Sequence, residues 1–358
     1  MTRNAKKYLH GPNPAISMNA TYYKGQRSVY GRDTNPTWEH LEEEIGRLEG
    51  GLCTVFASGM GAIASMIVGI SKSQRLFLAS DSYNGTRRLS ELLVKVGRLD
   101  LTYATPNDIR SKTFLNDARP GDIFFFESPS NPELNVYDIS EIAAACKDLG
   151  MLVAIDSTLA TPVLQRPLSL GVDVVIHSLT KAISGHSDVL GGAVVVADGD
   201  LDADFKLRRS LFGAIPSAQD AFLILRGLKT LEIRMERAVA NASRAFSVLY
   251  DRIGSSELRY PYHPDSDTLE VAKLQMKSGG SVLSVIFEGA AQADAFVDSL
   301  SLFHRATSLG GVESLAERRA FHRGEDSTHP GLVRLSFGVE PWEELKDDLL
   351  SALEGVGL

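Results

Sequence analysis

What most constrains the fold of this chain is a series of short, unbroken apolar runs, at residues 52–57, 75–79, 122–126, 152–155, 172–177 and 193–196. Each is too short for a helix and is filled by Val, Ile, Leu and Phe with almost no polar alternation. Strands buried on both faces have this character, so the runs predict a mostly parallel sheet with helices on either side. Helical spacing between the runs, for example at 62–70 and 139–149, supplies that cover. A helix is also predicted from Thr37, because Trp38, Leu41, Ile45 and Leu48 recur at helical spacing and Gly50-Gly51 ends the pattern. The fold class is therefore α/β, and a ligand site belongs just beyond the carboxyl ends of the strands.

The pattern changes near residue 215. Residues 218 to about 252 read as one long helical region with Phe222, Leu225, Leu228 and Leu231 on one face. Stretches 281–287 and 332–339 alternate more like antiparallel strands, and helical stretches at 291–299 and 342–353 accompany them. The expected division is an aperiodic arm over 1–36, a large domain over 37–217 and a smaller α+β domain over 218–358, which suits a chain of 358 residues. No internal repeat or low-complexity segment interrupts it.

Composition narrows the function. With 37 Lys and Arg against 45 Asp and Glu, the net charge of -8 argues against nucleic acid as the main partner. No apolar run approaches the ~20 residues of a membrane span. The basic start, residues 1–7, leads into no apolar stretch, so no secretory signal is expected. Cys53 and Cys146 are the only cysteines, too few for a disulfide framework or a four-thiolate zinc site, and a reducing cytoplasm is expected. His177 and His186 lack the carboxylate or cysteine cluster of a metal centre, so no metal is expected.

The residues after each run carry the chemistry. Ser58-Gly59-Met60-Gly61 leaves backbone N–H groups open at a helix start, a setting for phosphate, although a glycine turn also serves as a tight connection. Glu127-Ser128-Pro129-Ser130-Asn131-Pro132 is a rigid turn. Asp156 either holds a cationic ring nitrogen or caps the segment that follows. Lys181 closes the run His177-Ser178-Leu179-Thr180-Lys181, and Gly185-His186-Ser187-Asp188 and Gly191-Gly192 follow. A buried lysine amine beside another cation loses its proton readily and attacks carbonyls. A phosphate cradle, a carboxylate for a ring nitrogen and a lysine for an aldehyde, all at strand ends of one sheet, together describe a pyridoxal phosphate site.

These residues, with Tyr30-Gly31-Arg32-Asp33-Thr34-Asn35-Pro36-Thr37, Tyr83-Asn84-Gly85-Thr86, Arg226-Gly227-Leu228-Lys229-Thr230-Leu231, Ser308-Leu309-Gly310-Gly311-Val312-Glu313-Ser314-Leu315 and Val333-Arg334-Leu335-Ser336, resemble a known family. It is the Cys/Met-metabolism group of pyridoxal-phosphate enzymes: cystathionine γ-synthases, cystathionine γ- and β-lyases and methionine γ-lyases. The resemblance runs from about residue 28 to the end. It implies the fold type I, aspartate aminotransferase-like architecture, with pyridoxal 5'-phosphate as cofactor. It also implies roles. Lys181 is the Schiff-base lysine and proton carrier, and Tyr83 stacks on the ring and assists proton transfer. Asp156 pairs with the pyridine nitrogen, and Gly59, Met60, Ser178 and Thr180 hold the phosphate. Tyr30 and Arg32 reach the phosphate of a neighbouring subunit. Asn131 contacts the ring hydroxyl and lines the substrate site. Arg334 clamps the substrate α-carboxylate with Ser308 beside it, and Glu313 receives the distal amino group of cystathionine.

The partners implied are an amino-acid substrate and further copies of the chain, a dimer with shared active sites joined into a tetramer. The implied activity is γ-lyase-like cleavage of L-cystathionine to cysteine, 2-oxobutanoate and ammonia. The alternatives are γ-replacement on an O-acyl-homoserine, β-lyase cleavage, γ-substitution by a carbon nucleophile and a non-catalytic relative of the fold. An aminotransferase fits less well. The chain departs from the family in its short arm, in Asn84 where a glycine is usual, in Ser217–Asp220 without the common proline, and in residues 318–325, which replace a His-Pro and Met-Thr-His segment.

Overall fold

The computed structural model describes residues 13–26, 28–321 and 328–358. Its large sheet holds β1 (Leu52–Phe56), β2 (Arg75–Ala79), β3 (Asp100–Ala104), β4 (Ile123–Glu127), β5 (Leu152–Asp156), β6 (Val174–Ser178) and β7 (Gly192–Val196), in the spatial order β1-β7-β6-β5-β4-β2-β3. Pairs from β3 through β6 are parallel, whereas β7 runs antiparallel to both β6 and β1. Period-2 alternation splits the apolar residues between two faces. Val55, Phe124, Phe126, Ile155, Val175 and Val195 share one core with Trp38, Leu41 and Ile45 of the helix Pro36–Glu49. Phe56, Phe125, Ala154, Ile176 and Val194 share the other with Ile63, Met66 and Ile67 of the helix Gly59–Val68. The α/β expectation holds. The strand that the apolar runs did not reveal is β3, an edge strand whose residues, apart from Ala104, are largely in contact with solvent.

The second sheet holds β8 (Leu258–Arg259), β9 (Val282–Ile286), β10 (His304–Arg305), β11 (Leu315–Arg318) and β12 (Leu332–Ser336), ordered β10-β11-β12-β9-β8. β12 is antiparallel to β11 and to β9. Leu283, Val285, Val333 and Leu335 pack with Phe296 and Leu349 of the helices Ala290–Ser299 and Trp342–Gly355. The alternation expected here is chemical rather than solvent-facing, because both strands are buried almost throughout. Their polar members face the large sheet: the Ser284 hydroxyl donates to the Pro132 carbonyl at 2.8 Å, and Arg334 reaches Asn131.

The single long helix expected over 218–252 is two, Ala218–Leu228 and Leu231–Ile253. The Gly227 carbonyl, which a continuing helix would offer to Leu231, is taken instead by the Thr230 amide at 3.1 Å and by the Arg234 guanidinium at 2.8 Å. The buried face also differs: Ala221, Ile224, Leu225 and Leu231 are buried, while Phe222 and Leu228 are half-exposed. Among the described residues no helix is long and apolar enough to cross a membrane.

Candidate active site

β1 enters the helix Gly59–Val68 through Ala57-Ser58. The Ser58 hydroxyl accepts from the Gly61 amide at 3.0 Å, while the Gly59 and Met60 amides belong to the first turn, where no carbonyl lies one turn back. Two glycines let the neighbouring strands close on this turn. A Cβ on Gly59 would stand 3.0 Å from the Ser178 hydroxyl oxygen, and one on Gly192 would stand 2.1 Å from the Ser58 carbonyl oxygen. The start of the helix, the end of β6 and the start of β7 thus form one corner lined with small groups and donors, a cradle that fits a phosphate. Thr180 is drawn inward. Its hydroxyl oxygen accepts from the Gly191 amide at 3.0 Å and lies 3.3 Å from the Gly191 carbonyl, so contact with a phosphate requires it to release that carbonyl. Gly192→Ala is expected to lower stability by ~1–3 kcal/mol, the range for overpacking, and to weaken uptake of phosphate-bearing ligands. Urea unfolding and a pyridoxal phosphate titration check this, and wild-type behaviour in both would remove the cradle argument.

β5 ends at Asp156, which is the Cα partner of Glu127 on β4 and of Ile176 on β6. Asp156 Oδ1 accepts from the Thr158 amide at 2.9 Å, and Thr158 Oγ1 accepts from the Ser178 amide at 2.8 Å, which ties the carboxylate to the end of β6. Burial pushes the Asp156 carboxyl above its ordinary value, against the pull of Thr158, His177 and Lys181. A protonated ring nitrogen is the partner that would offset that burial. The Lys181 amine is lowered to about 8, first by burial and next by the Arg334 guanidinium, against the pull of Glu317. Its Nζ donates to the Ser308 hydroxyl at 2.8 Å. Ser308 itself has φ 100, a left-handed conformation that costs a non-glycine residue ~1–3 kcal/mol.

The Ser308 carbonyl accepts from Arg334 Nη2 at 2.6 Å, and Arg334 Nη1 donates to Asn131 Oδ1 at 2.9 Å. Nη2 also lies 3.0 Å from Glu317, its cross-strand partner on β11, and Arg319 donates to the same carboxylate oxygen at 2.8 Å. Lys181, Ser308, Arg334 and Asn131 are therefore one connected set. Beside it opens a cleft of about 860 Å³, lined in part by Thr180, Ser187, Asp188, Asp220, Ser308 and Glu313. Glu313 accepts from the Ser187 hydroxyl at 3.3 Å.

Tyr83 precedes the helix Asn84–Lys95 and is 38% exposed; its amide donates to Glu127 at 2.5 Å. Gly85 is hemmed by the Tyr83 ring and the Met60 sulfur, which brings these two residues to one place. Tyr30 and Arg32 are not brought to this set. Tyr30 pairs with Thr21, and the Arg32 guanidinium lies over the Tyr30 ring. His177 is sealed in the core against Glu49 at 2.9 Å, and His186 Nδ1 lies 2.6 Å from the Ser184 carbonyl. In the departing segment 318–325, Arg318 pairs with Asp294 and Arg319 with Glu317, while His322, Arg323, Gly324 and Glu325 lie outside the described residues. Sequence reasoning read Glu127 only as the start of a rigid turn and missed Arg234. Arg234 carries a readable signal, because it falls on the face that Leu231, Met235, Ala238 and Ala242 mark as apolar at helical spacing.

Comparison with known proteins gives the same picture. The model of a family described as Cys/Met metabolism PLP-dependent enzyme matches residues 13–354. A cystathionine beta-lyase of Lactococcus lactis subsp. cremoris is 39% identical over 337 residues, 91% of this chain and 88% of that protein. A cystathionine gamma-lyase of Bacillus subtilis is 36% identical over 340 residues, 91% of this chain and 89% of that protein. The solved structure of a cystathionine gamma synthase from Xanthomonas oryzae pv. oryzae superposes with a TM-score of 0.91 at 34% identity, over 96% of this chain and 93% of that one. A lysine, a carboxylate and a donor-lined corner at the ends of one sheet, in a chain that the family model matches over residues 13–354, leave one conclusion: the chain belongs to the Cys/Met metabolism family of PLP-dependent enzymes.

Proposed function

We propose that this enzyme binds pyridoxal 5'-phosphate at the strand ends described and cleaves the C–S bond of L-cystathionine on the γ side, releasing cysteine, 2-oxobutanoate and ammonia. The observation that carries the reading is the Lys181–Ser308–Arg334 connection, which sets a low-pKa amine beside a planar guanidinium. Bound there, the cofactor supplies an aldehyde for an amine and a ring that withdraws electrons from the substrate Cα. The Gly59–Met60 turn and Ser178 hold the phosphate, Asp156 holds the ring nitrogen and Tyr83 covers the ring. Arg334 fixes the substrate α-carboxylate in two parallel hydrogen bonds, with Asn131 and Ser308 setting the orientation of its fork. Lys181 takes the Cα proton and, reaching Cβ from the same side, moves a second one, which permits departure of a γ-sulfur. Glu313, at the mouth of the cleft, receives the distal ammonium.

A second reading, γ-replacement of an O-acyl-homoserine by a thiol, is supported by the likeness to the Xanthomonas synthase. Exposed Tyr30 and Arg32 support an active unit of at least two copies, each completing the phosphate site of the other. The free, buried thiols of Cys53 and Cys146 support a reducing cytoplasm as its place of work. The test is to supply the loaded enzyme with L-cystathionine and identify the products. Cysteine with 2-oxobutanoate is expected. Homocysteine with pyruvate would replace the γ-lyase reading by a β-lyase one. No cleavage, with cystathionine formed instead from O-succinyl-homoserine and cysteine, would establish the synthase reading.

A further inference from the structure

Lys181 sits on a short helical turn that the chain does not continue. The Gly185 amide donates to the Lys181 carbonyl at 2.9 Å, Gly185 then turns the chain with φ 73, and no further helical turn follows to satisfy the carbonyls behind it. The Thr180 carbonyl is served by the Ser184 hydroxyl at 3.0 Å. The next two carbonyls are served from elsewhere in the fold. Arg234, in the first turn of the helix Leu231–Ile253, donates from Nη1 to the Ala182 carbonyl at 2.7 Å and from Nη2 to the Ile183 carbonyl at 3.2 Å. Its Nη2 also holds the Gly227 carbonyl at 2.8 Å, and Nε is aligned by Thr230 Oγ1 at 3.1 Å.

All four acceptors are neutral. Burial alone lowers the Arg234 guanidinium from its ordinary value, and no carboxylate joins it among the described residues. A buried charge without a counter-ion is costly, so a hydrophobic residue would serve simple packing better. What a hydrophobic residue cannot supply is the fork of donors that a terminated helix lacks at its carboxyl end. The space is shaped for that fork, since a Cβ on Gly185 would stand 1.9 Å from Arg234 Nη1. On its other side the same turn carries the 308–312 loop: the Val312 amide donates to the Gly185 carbonyl at 3.0 Å, and Ser308 receives the lysine amine.

We propose that Arg234 is a positioning residue for Lys181, acting as the external cap of the lysine turn and thereby fixing the direction in which the amine projects. The helix that bears Arg234 goes on to place Ala242, Ala245, Phe246 and Leu249 in the core of the second sheet. Arg234 therefore also registers the lysine against the sheet that carries Arg334.

The inference rests on the cofactor reading, and two measurements on the full chain keep the two separable. The first is amide hydrogen exchange without cofactor, reading peptides across residues 179–188. Arg234→Met is expected to raise exchange there by at least ~10-fold while the large-sheet strands stay protected. The second uses pyridoxal phosphate-loaded protein. Here kcat on L-cystathionine is expected to fall ~10²-fold, the usual consequence of misplacing a reacting group by about 1 Å, with KM changed much less. Arg234→Lys keeps the charge but not the fork and should resemble Arg234→Met. Thr230→Val removes the Nε acceptor together with the hydroxyl's own 3.1 Å hydrogen bond to the Gly227 carbonyl but leaves the Arg234 fork on Ala182 and Ile183, should loosen the turn to a lesser degree, and carries the test if the Arg234 variants do not fold. Unchanged exchange over 179–188, or wild-type kcat in Arg234→Lys, would overturn the proposal. Failure of borohydride to fix pyridoxal phosphate to Lys181 in the unaltered protein would instead overturn the cofactor reading and leave the exchange result standing.

Discussion

Lys181→Ala is expected to reduce release of 2-oxobutanoate from L-cystathionine by at least ~10³-fold, toward the upper end of what a positioned proton carrier contributes. The variant keeps its fold, because among the described residues the Lys181 side chain makes one hydrogen bond, to Ser308, and closes no core contact. Initial rates on protein incubated with excess pyridoxal phosphate, beside a circular dichroism spectrum, check both halves. The pH dependence follows from the same amine. Burial first, and Arg334 second, lower it to about 8. Below that value it is an ammonium without a free electron pair, and above it the pair is available. The rate at which the cofactor-free protein becomes covalently linked to pyridoxal phosphate should therefore climb about tenfold per pH unit below 8 and level off above it. A flat rate from pH 6 to 9 would show that the amine is not the titrating group.

Arg334→Met is expected to lower kcat/KM for amino-acid substrates by ~10²–10³-fold, matching the loss of one partner from a buried charge pair. The effect should fall mainly on KM, because a guanidinium in the proposed role grips the carboxylate before and during reaction alike. Arg334→Lys should restore little. An ammonium is a point charge and cannot reach the Ser308 carbonyl and the Asn131 amide oxygen together in the plane that the guanidinium spans. Methoxyamine, which has no carboxylate, provides the control: it should react with the loaded wild type and with both variants at similar rates. A uniform slowing with methoxyamine as well would show that Arg334 shapes the site rather than recognises the substrate.

The residues that the sequence exposed most clearly are those whose role is local. β1, β2, β4, β5, β6 and β7 are apolar on both faces because helices cover both faces, and Asp156 and Ser178 end, and Lys181 follows, strands that could be seen directly. β3 was hidden because an edge strand facing water has no apolar run to show. The break at Lys229-Thr230 was hidden because Arg234 takes up the carbonyl that would have continued the helix. Glu127 met Tyr83, and Arg234 met Ala182, across long stretches of chain that no local pattern joins. Tyr30 and Arg32 are legible only through family resemblance, since among the described residues the pairing of Tyr30 with Thr21 and the stacking of Arg32 over the Tyr30 ring both stay within the arm.

The reversed direction of β7 has a consequence for how this site could change over evolutionary time. Because β7 enters the sheet antiparallel to β6, Ser178 and Gly192 are paired neighbours on the same edge. The segment between them, which holds the reactive lysine, leaves the sheet and returns to it at a single doorway. A parallel strand would have begun at the opposite edge, and the segment would have had to span the sheet, with its length fixed by that distance. As built, the lysine segment is a closed circuit. Residues can be exchanged, added or lost near Ser187–Leu190 without shifting the register of any strand, so the mouth of the cleft is open to remodelling while the corner proposed to hold the phosphate stays where it is.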